Sequence, residues 1–283
     1  MTDARDLDVA AAQIESVPGD LDANLRKHLD TIDAARAAGV DVLVFPELSL
    51  TGHGGGRDAR RLALGRTHPH VAALAAAAGP MLTQFGLVET DGSPSFFNAV
   101  AAVRDGAVVH VHRKVNLATY GKLDDGRHFA AGTRVDTFDL DAAWRIAPMI
   151  CADTWNPPLV HLAAARGATL LAVAVSSALE AVGAEFDNPS GWDINLRFHA
   201  LTYGLPIVMA NRVGTEDDLT FWGGSRIVGP FGRVLAQAGD AREQLVRARI
   251  ATIDVQRART LLPTMRDANL PLLAAELGRL GTS

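Results

Sequence analysis

The chain opens on a pattern that few architectures accommodate: an apolar run from Val9 to Ile14, an amphipathic stretch with Leu25, Leu29, Ile32 and Ala35 on one face, and a second apolar run from Val42 to Phe45. Each run predicts a buried strand, and the spacing between them predicts a helix. Pro18-Gly19 turns the chain after the first strand, Asp20 or Asp22 caps the helix and Gly39 stops it. This β-α-β order is the mark of a layered α/β fold.

The rest of the sequence extends the pattern. Gly54-Gly55-Gly56 lies in a loop from Leu48 to Gly56; no Gly-Lys-Ser/Thr follows, so flexibility is expected there rather than phosphate binding. An alanine-rich helix is predicted over Pro69–Ala78, then strands over Leu82–Val88, Phe96–Val103 and Ala107–Arg113, separated by the hairpin dipeptides Asp91-Gly92 and Asp105-Gly106. From Lys114 to Gly132 the pattern gives way to a polar loop of a length that is usually functional. Strands over Val135–Leu140 and Trp144–Ile150 lead to Cys151, and Pro157-Pro158 opens a helix carrying Leu159, Leu162, Ala163 and Arg166.

Further on, Leu170–Val175 and Ile207–Ala210 read as strands around a helix at Trp192–Tyr203, and Asn211 to Gly214 turns away. Arg226–Val228, Val234–Ala236 and Leu245–Ile253 read as the last strands. Arg257–Leu262 and Leu270–Leu280 read as a helical tail. No linker divides the chain, so residues 1–283 are expected to form a single domain, with the tail from about residue 255 covering the core or a partner subunit.

Composition narrows the function. A net charge of -5 with no Lys/Arg-rich run argues against nucleic acid or an anionic membrane as partner. A single cysteine leaves no intrachain disulfide or Cys-cluster metal site and fits a reducing compartment. The N-terminus is polar, and no uncharged apolar run approaches the roughly 18 residues of a membrane span, so a cytoplasmic protein is expected.

Glu47, Lys114 and Cys151 share one local setting, the end of an apolar strand. In layered α/β folds, ligands collect at the carboxyl ends of strands, so residues far apart in sequence can converge there. Each alone has an ordinary reading: Glu47 in a helical first turn, Lys114 at a solvated strand end, Cys151 as inert core. Together they are chemically coherent, because a thiol is a poor nucleophile at neutral pH until a cation or base helps it ionise. Backbone N–H groups at a strand-to-helix turn would also stabilise a thiolate and an oxyanion. Competing constellations are weaker. No Gly-x-Ser-x-Gly elbow is present; His110 and His112 share a strand face without a third metal ligand, and read as surface residues.

Three ordered blocks carry a resemblance: Phe45-Pro46-Glu47-Leu48-Ser49-Leu50-Thr51-Gly52, His112-Arg113-Lys114-Val115-Asn116-Leu117, and Ile150-Cys151-Ala152-Asp153-Thr154-Trp155-Asn156-Pro157. With Ala210-Asn211-Arg212-Val213-Gly214 further on, they resemble the nitrilase superfamily of carbon-nitrogen hydrolases. That resemblance implies a four-layer α-β-β-α sandwich, a Glu47-Lys114-Cys151 triad, and dimers or larger homo-oligomers. Thr119 to Phe129 looks like the loop that carries a second active-site glutamate in relatives similar to the glutaminase domain of NAD synthetase. Asp125, one methylene shorter, stands at that position, and Asn116 stands where a histidine is common.

The resemblance implies hydrolysis of a small carboxamide through a cysteine thioester, releasing ammonia or an amine, with no cofactor and no metal. Glu47 would act as base and acid, Lys114 and the backbone N–H near Ala152 would hold the oxyanion, and Asp125 would orient Lys114 or the leaving group. Tyr120, Phe129, Trp155, Trp192, Ser176 and Ser177 are candidates to line the pocket; for Arg127, Arg197 and Arg212, surface salt bridges are the plainer reading than a substrate carboxylate. Family members acting on nitriles usually have Trp-Glu after the cysteine, where this chain has Ala152-Asp153, which favours an amide. The alternatives are a nitrile or N-carbamoyl hydrolase with the same triad, or a non-catalytic binding member.

Overall fold

Two six-stranded sheets face each other across an apolar seam, and helices cover their outer faces. This architecture is seen in a computed structural model that describes residues 5–280. In chain order the strands are β1 (Leu7–Gln13), β2 (Val42–Val44), β3 (Leu82–Glu89), β4 (Phe97–Arg104), β5 (Ala107–Arg113), β6 (Phe138–Asp139) and β7 (Arg145–Ile150). They continue as β8 (Leu170–Val175), β9 (Ile207–Asn211), β10 (Val213–Glu216), β11 (Leu219–Trp222), β12 (Arg226–Val228), β13 (Val234–Gln237) and β14 (Gln244–Ile250). One sheet has the order β14-β1-β2-β3-β4-β5, the other β13-β12-β9-β8-β7-β6, and β10-β11 is a separate hairpin. Each sheet is built on parallel strands, β1-β2-β3 in one and β7-β8-β9 in the other, flanked by antiparallel neighbours.

The unbroken apolar runs follow from this layering. Successive side chains of a strand point to opposite faces, and here both faces are dry. Val9, Ala11, Val42 and Val44 point inward against Ile146, Leu170, Ala172 and Val208 of the other sheet. Their neighbours Ala10, Ala12 and Leu43 point outward against Ile32 and Ala35 of helix Leu21–Ala37 and Val71 and Leu74 of helix Pro69–Ala78. On the far side, Ala147, Met149, Leu171 and Val173 pack against Val160 and Ala163 of helix Pro157–Ala165 and Trp192, Leu196 and Ala200 of helix Asn188–Tyr203. The result is the α-β-β-α sandwich.

Several expectations need correction. Only Phe138–Asp139 of the expected strand at Val135–Leu140 pairs with β7. Helix Asn188–Tyr203 starts a turn earlier than Trp192, because Asp187 accepts from Ser190 N and Pro189 fits the first turn. The segment after Arg212 does not simply turn away but forms the β10-β11 hairpin. The last strand stops at Ile250, and helix Thr252–Leu261 follows, with Val255 and Ala258 buried. The glycine triplet is packed rather than flexible: a Cβ at Gly56 would stand 2.7 Å from the Phe129 ring. His112 is buried rather than on the surface. Among the described residues, no helix is long and apolar enough to cross a membrane.

Candidate active site

The carboxyl ends of β2, β5, β7 and β8 gather at one edge of the sandwich, and each delivers a polar residue there. Glu47 follows β2, where Pro46 and Leu48 pass so close over β3 that a Cβ on Gly86 would meet Leu48 N at 2.2 Å. The buried Glu47 carboxylate accepts from Asn98 Nδ2 at 2.8 Å and Lys114 Nζ at 2.6 Å on Oε1, and from Ser176 N at 2.9 Å on Oε2. These donors come from both sheets, so the carboxylate is held in one orientation and pins the sheets together.

Lys114 follows β5 and is 2% exposed. Its Nζ lies 2.6 Å from Asp125 Oδ2 as well as 2.6 Å from Glu47 Oε1. Burial disfavours the ammonium, but the Glu47 and Asp125 carboxylates outweigh it and hold the Lys114 pKa well above its ordinary value. Asp125 is carried by a single helical turn, Asp125–His128, inside the long polar loop. Ala118 N also donates to its Oδ2, at 3.1 Å. Burial opposes the Asp125 charge, yet Lys114 and the Ala118 hydrogen bond keep its pKa below the usual carboxylate range. The shorter side chain therefore reaches Lys114 without a glutamate's extra methylene.

Cys151 sits where β7 stops and a turn of 3-10 helix, Cys151–Trp155, begins. Its φ is +44°, a left-handed conformation that costs a non-glycine residue about 1–2 kcal/mol. Asp153 holds this elbow. Its buried carboxylate accepts from Val115 N and Asn116 N on Oδ1, and from Ile150 N and His112 Nε2 on Oδ2. Asn116 Nδ2 donates to Ala152 O at 2.9 Å, adding a second tie between the lysine loop and the cysteine elbow. Burial, and then the Glu47 carboxylate, push the Cys151 thiol well above its ordinary pKa against the pull of Lys114. The Glu47 carboxylate and the Lys114 ammonium therefore both lie close enough to that thiol to act on its charge. The resting sulfur is therefore protonated beside a carboxylate able to take its proton, next to an ammonium, and these are the ingredients of nucleophilic acyl transfer.

The remaining candidates divide by depth. Ala152, Ser176, Ser177 and Trp192 are buried around the elbow; Trp192 Nε1 donates to Ser177 Oγ at 3.1 Å, and Ser177 N donates to Asn211 Oδ1 at 2.9 Å. Trp155 is half-buried with its ring edge-on to Trp192 and Phe186. Tyr120 is exposed at the rim, whereas Phe129 packs under the site with Leu48 and Val88. Arg127 and Arg197 are exposed. Arg212 is no surface residue: it is fully buried, with Nη1 2.5 Å from Glu216 Oε2. Sequence reasoning missed Asn98 and the bracing role of Asp153. A polar residue inside an apolar strand was the available signal for the first, and an acid two residues past the cysteine for the second.

The family model described as carbon-nitrogen hydrolase matches residues 8–261. The chain belongs to the carbon-nitrogen hydrolase family, within the nitrilase superfamily. It is 28% identical to a glutamine-dependent NAD(+) synthetase of Thermotoga maritima, over 97% of this chain and 48% of that protein, so it spans about half the length of that relative. A probable nitrilase of Schizosaccharomyces pombe is 26% identical, over 89% of this chain and 90% of that one. Among solved structures, an amidase from Nesterenkonia sp. superposes with a TM-score of 0.80 at 22% identity, covering 95% of each chain, which shows the shared fold.

Proposed function

We propose that the protein is an amidase that hydrolyses the carbon–nitrogen bond of a small carboxamide through a thioester on Cys151. The observation that carries this reading is the placement of Glu47, 2.6 Å from Lys114 Nζ, at the edge of the sandwich where both groups act on the charge of the Cys151 thiol. Glu47 takes the thiol proton as sulfur adds to the amide carbonyl, and Lys114 with the backbone N–H of Ala152 stabilises the oxyanion. Glu47 then protonates the departing ammonia or amine, leaving the thioester. The same carboxylate next activates a water, which releases the acid and restores the thiol. Asp125 keeps Lys114 charged and aimed.

The glutamine dependence of the Thermotoga maritima relative supports an amide over a nitrile. Asp125 at 2.6 Å from Lys114, and Asn116 bonded to Ala152, favour a working site over a non-catalytic binding protein. The test is ammonia release from a panel of amides, nitriles and N-carbamoyl compounds. Amides are expected to be the substrates, and Cys151→Ala is expected to abolish turnover; undiminished release by that variant would reject the scheme. We also propose that the chain works in the cytoplasm as a homodimer or higher oligomer, and that helix Asn188–Tyr203 supplies the contact. Its outer face exposes Ile194, Phe198 and Leu201.

A further inference from the structure

His53 is fixed on three sides and left open on the fourth. Its backbone N–H donates to Glu216 Oε2 at 3.0 Å and Gly54 N donates to Glu216 Oε1 at 2.6 Å, while the buried Arg212 holds Glu216 in place. The ring stands edge-on to Phe221 at 5.2 Å, and Phe221 also packs against the Arg212 guanidinium, 4.2 Å from the ring centroid. Nδ1 is hydrogen-bonded to Ser176 Oγ at 3.0 Å. Ser176 is the residue whose backbone N–H holds Glu47 Oε2 at 2.9 Å, so one serine links the imidazole to the carboxylate of the proposed triad. Nε2 has no hydrogen-bond partner among the described residues.

The cleft onto which His53 opens is lined also by Lys122, Asp125 and Leu219. The two cations nearest its mouth are already paired: Arg57 with Asp217 and Lys122 with Asp218, each at 2.5 Å. Asp125 is taken by Lys114. Burial lowers the His53 pKa, and Arg212 adds to this against Glu47, Glu216 and Asp125, so the ring is neutral at pH 7. A neutral, immobilised imidazole nitrogen facing a cleft offers a directional hydrogen bond without the cost of burying a charge.

We propose that His53 is a substrate-contact residue that sets specificity, its Nε2 hydrogen-bonding a polar group on the acyl chain of the amide. The substrate class is accordingly a carboxamide with a second hydrogen-bonding group, in preference to a plain aliphatic amide of the same length. This rests on the amidase reading of the same site. A site built to hydrogen-bond a substrate group discriminates strongly against analogues that lack it, because its own polar atom is then left unpaired.

The experiment compares glutamine, succinamate and 4-hydroxybutyramide with valeramide and butyramide. Turnover is measured with the parent protein and with His53→Phe and His53→Gln, and binding is measured by calorimetry in a Cys151→Ala background. The parent is expected to prefer at least one polar amide. His53→Phe should cut the ratio of kcat/KM for that amide over its aliphatic match by about tenfold or more, through KM, and weaken its binding to the Cys151→Ala protein equally. His53→Gln, which keeps a hydrogen-bonding group, should recover part of the ratio. Equal losses on polar and aliphatic amides, a parent without preference, or no amide bound by the Cys151→Ala protein would overturn the proposal. His53-dependent binding without ammonia release would instead sink the hydrolase reading and leave this one standing.

Discussion

His112 Nε2 donates to Asp153 Oδ2 at 2.9 Å, and both side chains are buried, 41 residues apart in sequence. With the other three donors to Asp153, this bond ties the end of β5 to the turn after β7, so the residues on either side of Lys114 and the residue after Ala152 move as one piece. Asp153→Asn keeps an oxygen for Val115 and Asn116 but turns an NH2 toward His112 and Ile150 N. Two buried donors then face a donor, at a cost of about 1–3 kcal/mol each. The expected outcome is a loss of about 3 kcal/mol in urea unfolding, with kcat falling at least about tenfold as the elbow relaxes. A variant as stable and active as its parent would show that the clamp does not hold the elbow.

Asp125 tests the lysine half of the site. Asp125→Asn removes one of two carboxylates that favour the Lys114 ammonium, and leaves the loop backbone bond from Asp125 N to Ala118 O in place. If Lys114 stabilises the oxyanion, the loss falls on the transition state. Steady-state kinetics should then show kcat lower by about 10²-fold with little change in KM. A rise in KM alone would mean that Asp125 binds substrate instead.

Much of this arrangement was legible because buried strands are short apolar runs that end abruptly. Ala107–Arg113, Leu170–Val175 and Arg226–Val228 begin and end where the pattern places them, as do helices Pro69–Ala78 and Leu270–Leu280. The strand ends in turn pointed to Glu47, Lys114 and Cys151. The β10-β11 hairpin was not legible, since Gly214, Thr215 and Glu216 break any apolar run and the register is set by pairing with Leu219–Trp222. His112 and Asn98 were misread or passed over for one physical reason. A polar side chain on a strand looks solvated until its partner, here Asp153 or Glu47, is known, and that partner is supplied by a distant part of the sequence.

His28 makes stability depend on pH. It is fully buried, stacked on Phe45, with Nδ1 on Asn24 O at 2.7 Å and Nε2 on Ser49 Oγ at 2.9 Å, a pattern satisfied by the neutral ring. Burial lowers its pKa to about 4 from the usual 6.5. The unfolded state therefore binds the proton more readily, and the stabilisation is present above pH 6.5 and lost as pH falls through about 4. The span corresponds to about 3 kcal/mol. Urea midpoints at pH 7.5 and pH 4.5 should differ more for the parent than for His28→Gln, which has no proton to gain. Identical pH dependence in both proteins would remove His28 as the cause.

The proposed oligomer gives the last prediction. Ile194, Phe198 and Leu201 recur at helical spacing and are 70%, 51% and 51% exposed, an apolar stripe on the side of helix Asn188–Tyr203 away from the core. A contiguous patch of this kind marks an interaction surface. The inner side of the same helix supports the cysteine elbow: Asn195 Nδ2 and His199 Nε2 both donate to Thr154 O, and Thr154 Oγ1 donates to Cys151 O. A second copy seated on the stripe would therefore stiffen the elbow through one helix. Phe198→Glu places a charge in that contact and is expected to convert a dimer into monomers by light scattering, with the far-UV spectrum unchanged. Because the helix then loses its outer support, kcat is expected to fall with dissociation and to recover at protein concentrations where the dimer reforms. A parent protein that is monomeric at tens of micromolar, or a monomeric variant with full activity, would separate assembly from the chemistry of the site.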